Sequence, residues 1–360
     1  MRHFFRTLSV RQQKRLTLLL ACVLAVVLLL LAFVWSRHST LSNRLETTGF
    51  AMGSLVQQTV YGADGQEASD AALQAITELE NKISWRVDGS DIAHLNDEAG
   101  SVWIDVDPET TSLLLLCLDV AEQSGGVYDP TVLPVSKLWN FDADGTFSPP
   151  SQETVDQFLP YVNYEDLRVK EEENSASLKY HYMGVDLGSA GKGAACDTAV
   201  SSYASSGISG AIAAVGGSVG VYGEKPDGSP WSITVRNPYS AEDGEDILGV
   251  MEITEGFVST SGSYEKQKEV DGVVYHHLIN ANTGWPEDNE LISVTVYTKD
   301  NGALSDVLAT AAFLLGPEDG KRLLEQYGAE GIFIKRDRTI EVTDGFPSFT
   351  LSLDSYQMAG

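Results

Sequence analysis

Cysteine is scarce in this 360-residue chain: there are three, and only Cys117 and Cys196 lie beyond the first 37 residues. Two thiols so far apart build no disulfide framework, and no Cys/His spacing suits zinc. Cys117 falls in the apolar stretch 113–118, where a buried thiol is expected. Basic residues are also few, 24 Lys and Arg against 51 Asp and Glu, a formal net charge of −27. Six of the bases and none of the acids fall in the first 37 residues, so the remainder is more acidic still. Such a surface repels nucleic acid and anionic lipid. Nucleic acid is therefore excluded as a partner, and any phosphate ligand has to be held by local donors or a metal. Nor is there an internal repeat or a low-complexity tract.

One long apolar run is present. Residues 16–35 carry no charge and, at about 1.5 Å per residue, are long enough to cross a bilayer. Arg2, Arg6, Arg11, Lys14 and Arg15 precede the run, and only Arg37 and Arg44 follow closely. That bias predicts a cytoplasmic basic tail over 1–15, a transmembrane signal anchor over 16–35 and everything later outside the membrane. Two other readings compete. Phe33-Val34-Trp35 is a poor cleavage site for a removed signal peptide. Leu19-Leu20-Ala21-Cys22 loosely matches a lipoprotein signal, but cleavage there would leave a greasy tail. The polar stretch 36–49 reads as a stalk.

From residue 50 to 355 no linker interrupts the pattern, which predicts one α+β domain of mixed sheet and helices. Residues 52–60 alternate as a strand, and 68–84 read as an amphipathic helix with Ala71, Ala75, Ile76, Leu79 and Ile83 at helical spacing. Pro108 opens a helix over 110–123 that Gly125-Gly126 stops. A loop covers 142–151 and a turn 171–174. Further on, 211–215, 231–235 and 291–297 read as strands, 194–205, 305–315 and 318–327 as helices, and 332–335 with 340–343 as a closing hairpin.

Several segments offer chemistry. Asp186-Leu187-Gly188-Ser189-Ala190-Gly191-Lys192-Gly193 is a glycine-rich turn before a helix, where backbone N–H groups can cradle phosphate oxygens. It fits neither the Walker nor the Rossmann spacing, and a plain strand-to-helix turn is the alternative. Asp306 and Thr310 are four apart, so a helix puts both oxygens on one face, half a site for a hard divalent cation; solvated polar positions are the alternative. His276 and His277 precede a Thr283-Gly284 turn. For His277 a satisfied strand histidine competes with a catalytic one, and His276 reads as structural. Asp129, in Tyr128-Asp129-Pro130, binds a ligand or its own turn.

Taken together and in this order, the segments resemble the FAD:protein FMN transferase (ApbE) family. The pieces are Met52-Gly53-Ser54, Ser90-Asp91-Ile92 with Leu95-Asn96, Tyr128 through Pro134 to Leu138-Trp139, and Asp186-Leu187-Gly188 through Gly193 to Asp197. Gly216-Gly217 with Pro230-Trp231, Ser259-Thr260-Ser261-Gly262, His277 to Gly284, and Asp306 to Thr310 complete them. The resemblance implies Mg²⁺-dependent transfer of the FMN half of FAD to a Thr or Ser hydroxyl of an extracytoplasmic flavoprotein with an FMN-binding domain, releasing AMP. It implies attachment to the outer side of the cytoplasmic membrane. An FAD pyrophosphatase, yielding FMN and AMP, and a non-catalytic FAD-binding membrane protein are the alternatives.

By the same resemblance, Mg²⁺ falls to Asp306 and Thr310, helped by Ala309 and by the Ser189 and Gly191 turn. His277 becomes the base or the group that orients the acceptor hydroxyl. Lys192, Asp186, Val127, Tyr128, Asp129, Met52, Arg86, Leu278 and Thr283 match cofactor-contacting positions. Two departures stand out: Asn280-Ala281 replaces the Asp-Pro usual before the Thr-Gly turn, and Ser189-Ala190-Gly191 replaces Gly-Ile-Ala.

Overall fold

The computed structural model describes residues 11, 14, 17–19, 21–30, 43–142, 147–240 and 246–359. The run read as an anchor is helical at 17–19 and 21–30, and its other positions lie outside the described residues. Among the described residues no helix is long and apolar enough to cross a membrane.

The organising element is a nine-stranded sheet whose strands follow one another in space in the order they occur in the chain. They are β1 (Arg44–Ala51), β2 (Ser54–Tyr61), β3 (Gly210–Val215), β4 (Ser218–Gly223), β5 (Gly256–Gly262), β6 (Leu291–Thr298), β7 (Glu330–Lys335), β8 (Thr339–Val342) and β9 (Gln357–Met358). Every neighbouring pair is antiparallel except β8 with β9. The helices are α1 (Gly65–Ile83), α2 (Asp91–Asp97), α3 (Pro108–Gln123), α4 (Leu133–Trp139), α5 (Gln152–Phe158), α6 (Gly188–Ser205), α7 (Gly302–Leu315) and α8 (Pro317–Gln326).

The alternation of strand side chains sorts the core into two layers. Phe257 of β5 and Val294 and Val296 of β6 face the helices, joining Ile76, Leu79, Ala195, Leu308 and Phe313. Val221 and Val258 face the other way, onto a three-stranded sheet formed by Trp231–Arg236, Ile247–Ile253 and Phe349–Leu351. Burial of each such large side chain stabilises the fold by about 1.5–3 kcal/mol.

Several expectations need revising. Residues 44–49, assigned to the stalk, form most of β1, where exposed and half-buried positions alternate and each residue pairs with β2. Met52 belongs to the two-residue turn between those strands, at φ 55°, with Gly53 at φ 64°. In α1 the buried stripe is Ala68, Ala72, Ile76, Leu79 and Ile83, and Ala71 is exposed. Helix α7 begins at Gly302, earlier than expected, because Asn301 caps it with its side chain, accepting from Leu304 N at 2.7 Å. The glycine-rich segment is itself helical from Gly188 onward.

Those glycines are there for close approach rather than for a loop. A Cβ at Gly193 would overlap the carbonyl oxygen of Gly302 and come within 2.7 Å of Asp306 Cβ. Helices α6 and α7 therefore cross backbone to backbone. Asp197 of α6 seals the crossing, its two carboxylate oxygens accepting from Gly302 N (2.7 Å) and Ala303 N (2.8 Å), two donors the helix start leaves free.

Candidate active site

A cleft of about 810 Å³ opens where the β1–β2 turn, the end of α1, the start of α6, the Gly216-Gly217 turn, the end of β5 and one face of α7 meet. Its size lies within the ordinary range of small-molecule sites. Of the residues singled out from the sequence, the structure brings Met52, Arg86, Tyr128, Asp129, Asp186, Ser189, Gly191, Lys192, His277, Leu278 and Thr310 to its walls.

Asp306 sits directly behind the wall, 2 % exposed. Its Oδ2 accepts from Gly193 N at 2.9 Å and lies 4.0 Å from Lys192 Nζ. The attraction of Asp306 holds the Lys192 ammonium above its usual range, so Lys192 stays charged. Burial pushes the Asp306 carboxyl up, partly offset by Lys192. Thr310, one turn along α7, shares a hydrogen bond of 3.0 Å with Ser261 of β5. Ser189 likewise meets Tyr128 Oη at 3.0 Å.

Four expected residues are placed elsewhere. Ala309 is fully buried and does not line the cleft. Asp306 reaches the cleft only through Lys192 and Thr310. Val127 is half-buried, its carbonyl accepting from Ala281 N at 3.0 Å. Thr283 is exposed, and its hydroxyl donates to Asn280 O at 3.3 Å, a turn-building role. Asp129 does line the cleft, yet its carboxylate serves its own loop: Oδ1 accepts from Thr131 N and Oγ1, and Oδ2 from Tyr164 N, all at 2.7 Å. Burial raises it to about 6. Asp186 accepts from Gly188 N at 2.8 Å and so caps α6.

The two histidines differ in their surroundings. His276 is buried and satisfied, with Nε2 2.9 Å from Glu287 O and its ring edge-on to Phe313. His277 lines the cleft, but its Nδ1 is buried with no partner among the described residues. Burial first, then the charges of Lys266 and Lys192, depress His277 to about 3; burial depresses His276 to about 4. Both imidazoles are neutral at neutral pH. Accordingly, NMR titration of the ring nitrogens should show neither histidine gaining a proton between pH 8 and 5. A midpoint above 6 for either would overturn the burial argument. Because both are depressed in the fold, their contribution to stability is present above the unfolded value of 6.5 and fades as pH falls through about 4 and 3.

Residues 52–333 match the family model described as the ApbE family. The chain belongs to the ApbE family. It is similar to the FAD:protein FMN transferase of Treponema pallidum (strain Nichols), at 29 % identity over 322 residues, 84 % of this chain and 88 % of that one. The FAD:protein FMN transferase of Escherichia coli (strain K12) is 27 % identical over 307 residues, 83 % of this chain and 86 % of the relative. Among solved structures, the ApbE protein of Thermotoga maritima superposes with a TM-score of 0.76 at 28 % identity, covering 84 % of this chain and 97 % of that one.

Against the ApbE background the two departures at the Thr-Gly turn have a local explanation. Ala281 donates the N–H to Val127 that a proline would lack. Asn280 builds the turn, its Oδ1 accepting from Asn282 N at 2.9 Å and its Nδ2 donating to Glu287 Oε2 at 2.7 Å. The change reorganises how the loop is held and leaves His277 on the cleft wall.

The cleft also contains residues the sequence reading passed over. Trp85 has the Arg86 guanidinium 4.1 Å from its ring centroid and the Lys137 ammonium 4.7 Å away. Asp142 bridges Arg86 (2.6 Å) and Lys266 (2.7 Å). Glu265 and Lys266 follow the Ser259-Thr260-Ser261-Gly262 segment by three and four residues, close enough that its extension would have found them.

Proposed function

We propose that this protein is an FAD:protein FMN transferase, moving the FMN half of FAD onto a Thr or Ser hydroxyl of a partner flavoprotein and releasing AMP. The observation that carries this reading is the placement of Lys192, Thr310 and, behind them, Asp306 on one side of a single cleft whose wall also holds His277. Phosphoryl-group transfer needs charge neutralisation on the pyrophosphate, an in-line nucleophile and a destination for the hydroxyl proton. The family and the relatives named above support the same chemistry.

The donors available suit Mg²⁺. Among the described residues no three His, Cys, Asp or Glu side chains converge into a metal cage. What the site offers is one buried carboxylate, Asp306, with the hydroxyl of Thr310 and nearby backbone carbonyls, an all-oxygen set. Mg²⁺ takes few protein ligands and completes its shell with water and substrate phosphate oxygens. Bound there, it would neutralise the pyrophosphate in a protein whose overall charge opposes anion binding. Lys192 adds a fixed positive charge to the same end, and Tyr128, Ser189 and Trp85 line the same cleft. His277 meets the acceptor hydroxyl, as its base or as the neutral group that orients it.

The arrangement of charges around residues 16–35 supports an uncleaved anchor, with the domain on the outer side of the cytoplasmic membrane and extracytoplasmic flavoproteins as acceptors. Full-length protein incubated with FAD, Mg²⁺ and a flavoprotein FMN-binding domain should yield acceptor heavier by one FMN and an equivalent of AMP. FAD that binds yet leaves the acceptor unmodified would sink the transferase reading; AMP and free FMN formed without acceptor would replace it with hydrolysis.

A further inference from the structure

The cleft holds a second proton acceptor besides His277. The Gly216-Gly217 turn between β3 and β4 forms a floor on which two opposite charges lie side by side. A Cβ on Gly216 would stand 3.1 Å from Lys192 Cδ, and one on Gly217 would stand 3.3 Å from Glu265 Oε1. On the other side of Glu265, the next residue's carbonyl accepts from His277 N at 3.1 Å, so the two chain segments are neighbours. Glu265 therefore lies between the lysine on the metal side of the cleft and the histidine. Among the described residues no hydrogen bond or ion pair fixes its carboxylate, in contrast to Asp129, Asp142 and Asp186.

We propose that Glu265 accepts the proton of the acceptor hydroxyl during transfer, while neutral His277 orients that hydroxyl. The proposal rests on the transferase reading above. In the step, the acceptor Oγ forms a bond to the FMN phosphorus of FAD. The bond from that phosphorus to the bridging oxygen breaks, and AMP leaves with the electron pair. The hydroxyl proton passes to Glu265, which returns it to water after the products separate. A carboxylate suits a hydroxyl nucleophile in phosphoryl transfer, where little proton transfer is needed until late. His277 is placed for the complementary task. Its surroundings of Lys266 and Lys192 penalise an imidazolium, whereas a neutral ring can still exchange a hydrogen bond with the nucleophile. Glu265 is open to solvent at the cleft, and the protein around it holds its carboxyl above its ordinary value. The charged groups that face it are Lys192 from α6, Asp306 from α7, Lys266 beside it and Arg236 from the small sheet.

The test is Glu265→Gln in the full-length chain, with FAD, Mg²⁺ and an FMN-binding acceptor domain. Covalent flavin formation should slow about a hundredfold or more. FAD binding should be retained, and the acid limb of the wild-type rate–pH profile should vanish. His277→Gln should be slow as well but keep that limb, and Glu265→Asp should recover part of the rate with the limb restored. A Glu265→Gln protein within threefold of wild type, or one that keeps the acid limb, overturns the proposal. Should Glu265→Gln not fold, a Glu265→Asp profile identical in rate and midpoint to wild type would overturn it equally. A wild-type protein that forms no covalent flavin would instead defeat the transferase reading.

Discussion

Asp306→Asn should abolish Mg²⁺-dependent transfer while leaving the protein folded and close to wild-type stability. The carboxylate is the one acidic side chain at the expected metal position, and a metal at a phosphoryl centre contributes several kcal/mol of charge stabilisation. At about 1.4 kcal/mol per tenfold, its loss corresponds to on the order of a thousandfold in rate. Asparagine keeps the shape and still accepts from Gly193 N, so the α6–α7 crossing survives. Two effects on stability oppose each other in the fold. Burial raises the Asp306 carboxyl, which means that the folded state disfavours its charge. A carboxyl raised on folding contributes stability below its unfolded value and loses it as pH rises through the folded one. At neutral pH the amide removes that charge but leaves the Lys192 ammonium, 4.0 Å away, without its counter-ion, so the two effects largely offset. Activity assays over a Mg²⁺ series, alongside thermal unfolding without metal, separate the two effects. An Asp306→Asn protein that transfers normally, or that unfolds more than 5 °C below wild type, would contradict this account.

Gly193→Ala should be the most damaging single methyl group in the domain. The new carbon has nowhere to go: it meets the Gly302 carbonyl and the Asp306 Cβ, both parts of α7 held by the Asp197 cap. Neither neighbour is the free end of a flexible side chain, so the helices must separate. Overpacking of this kind costs about 3 kcal/mol, or more where backbone has to move. That corresponds to a fall in melting temperature of roughly 5 °C for a domain of this size. Gly207→Ala makes a fair control. It lies at φ 68° with open space around it, and the left-handed conformation alone costs about 1 kcal/mol. If the two variants melt together, the crossing is not held by close backbone contact.

What could be read from the sequence was what repeats locally. The period of α1, the proline and glycines that bound α3, the closing pair β7–β8 and the turn at residues 171–174 are all short-range signals, and the structure has each of them. The glycine-rich segment shows where local reading stops. From the sequence it has the composition of a loop, yet it is helical, because the demand for glycine comes from Gly302, more than a hundred residues away. The candidate site follows the same rule. Asp306, Thr310, Lys192 and His277 stood out through motif spacing. Trp85 and Asp142 carry no spacing of their own and gain meaning only once the end of α1 and residues 140–142 converge on the cleft. Residues 44–49 were taken for a stalk because their polarity is that of an edge strand with one face in water.

The cleft draws its lining from Met52 at one end of the domain and Leu314 near the other. A nascent chain therefore has nothing to offer a dinucleotide until almost the whole domain has emerged, and no N-terminal fragment should retain partial affinity. Occupancy becomes a report on completeness. A ligand at a hundred times its dissociation constant adds about 2.7 kcal/mol against unfolding, and here that increment is shared by the first hairpin and α7 alike. Loading with flavin nucleotide would thus act as a quality check on a newly made molecule, clasping its first hairpin to α7.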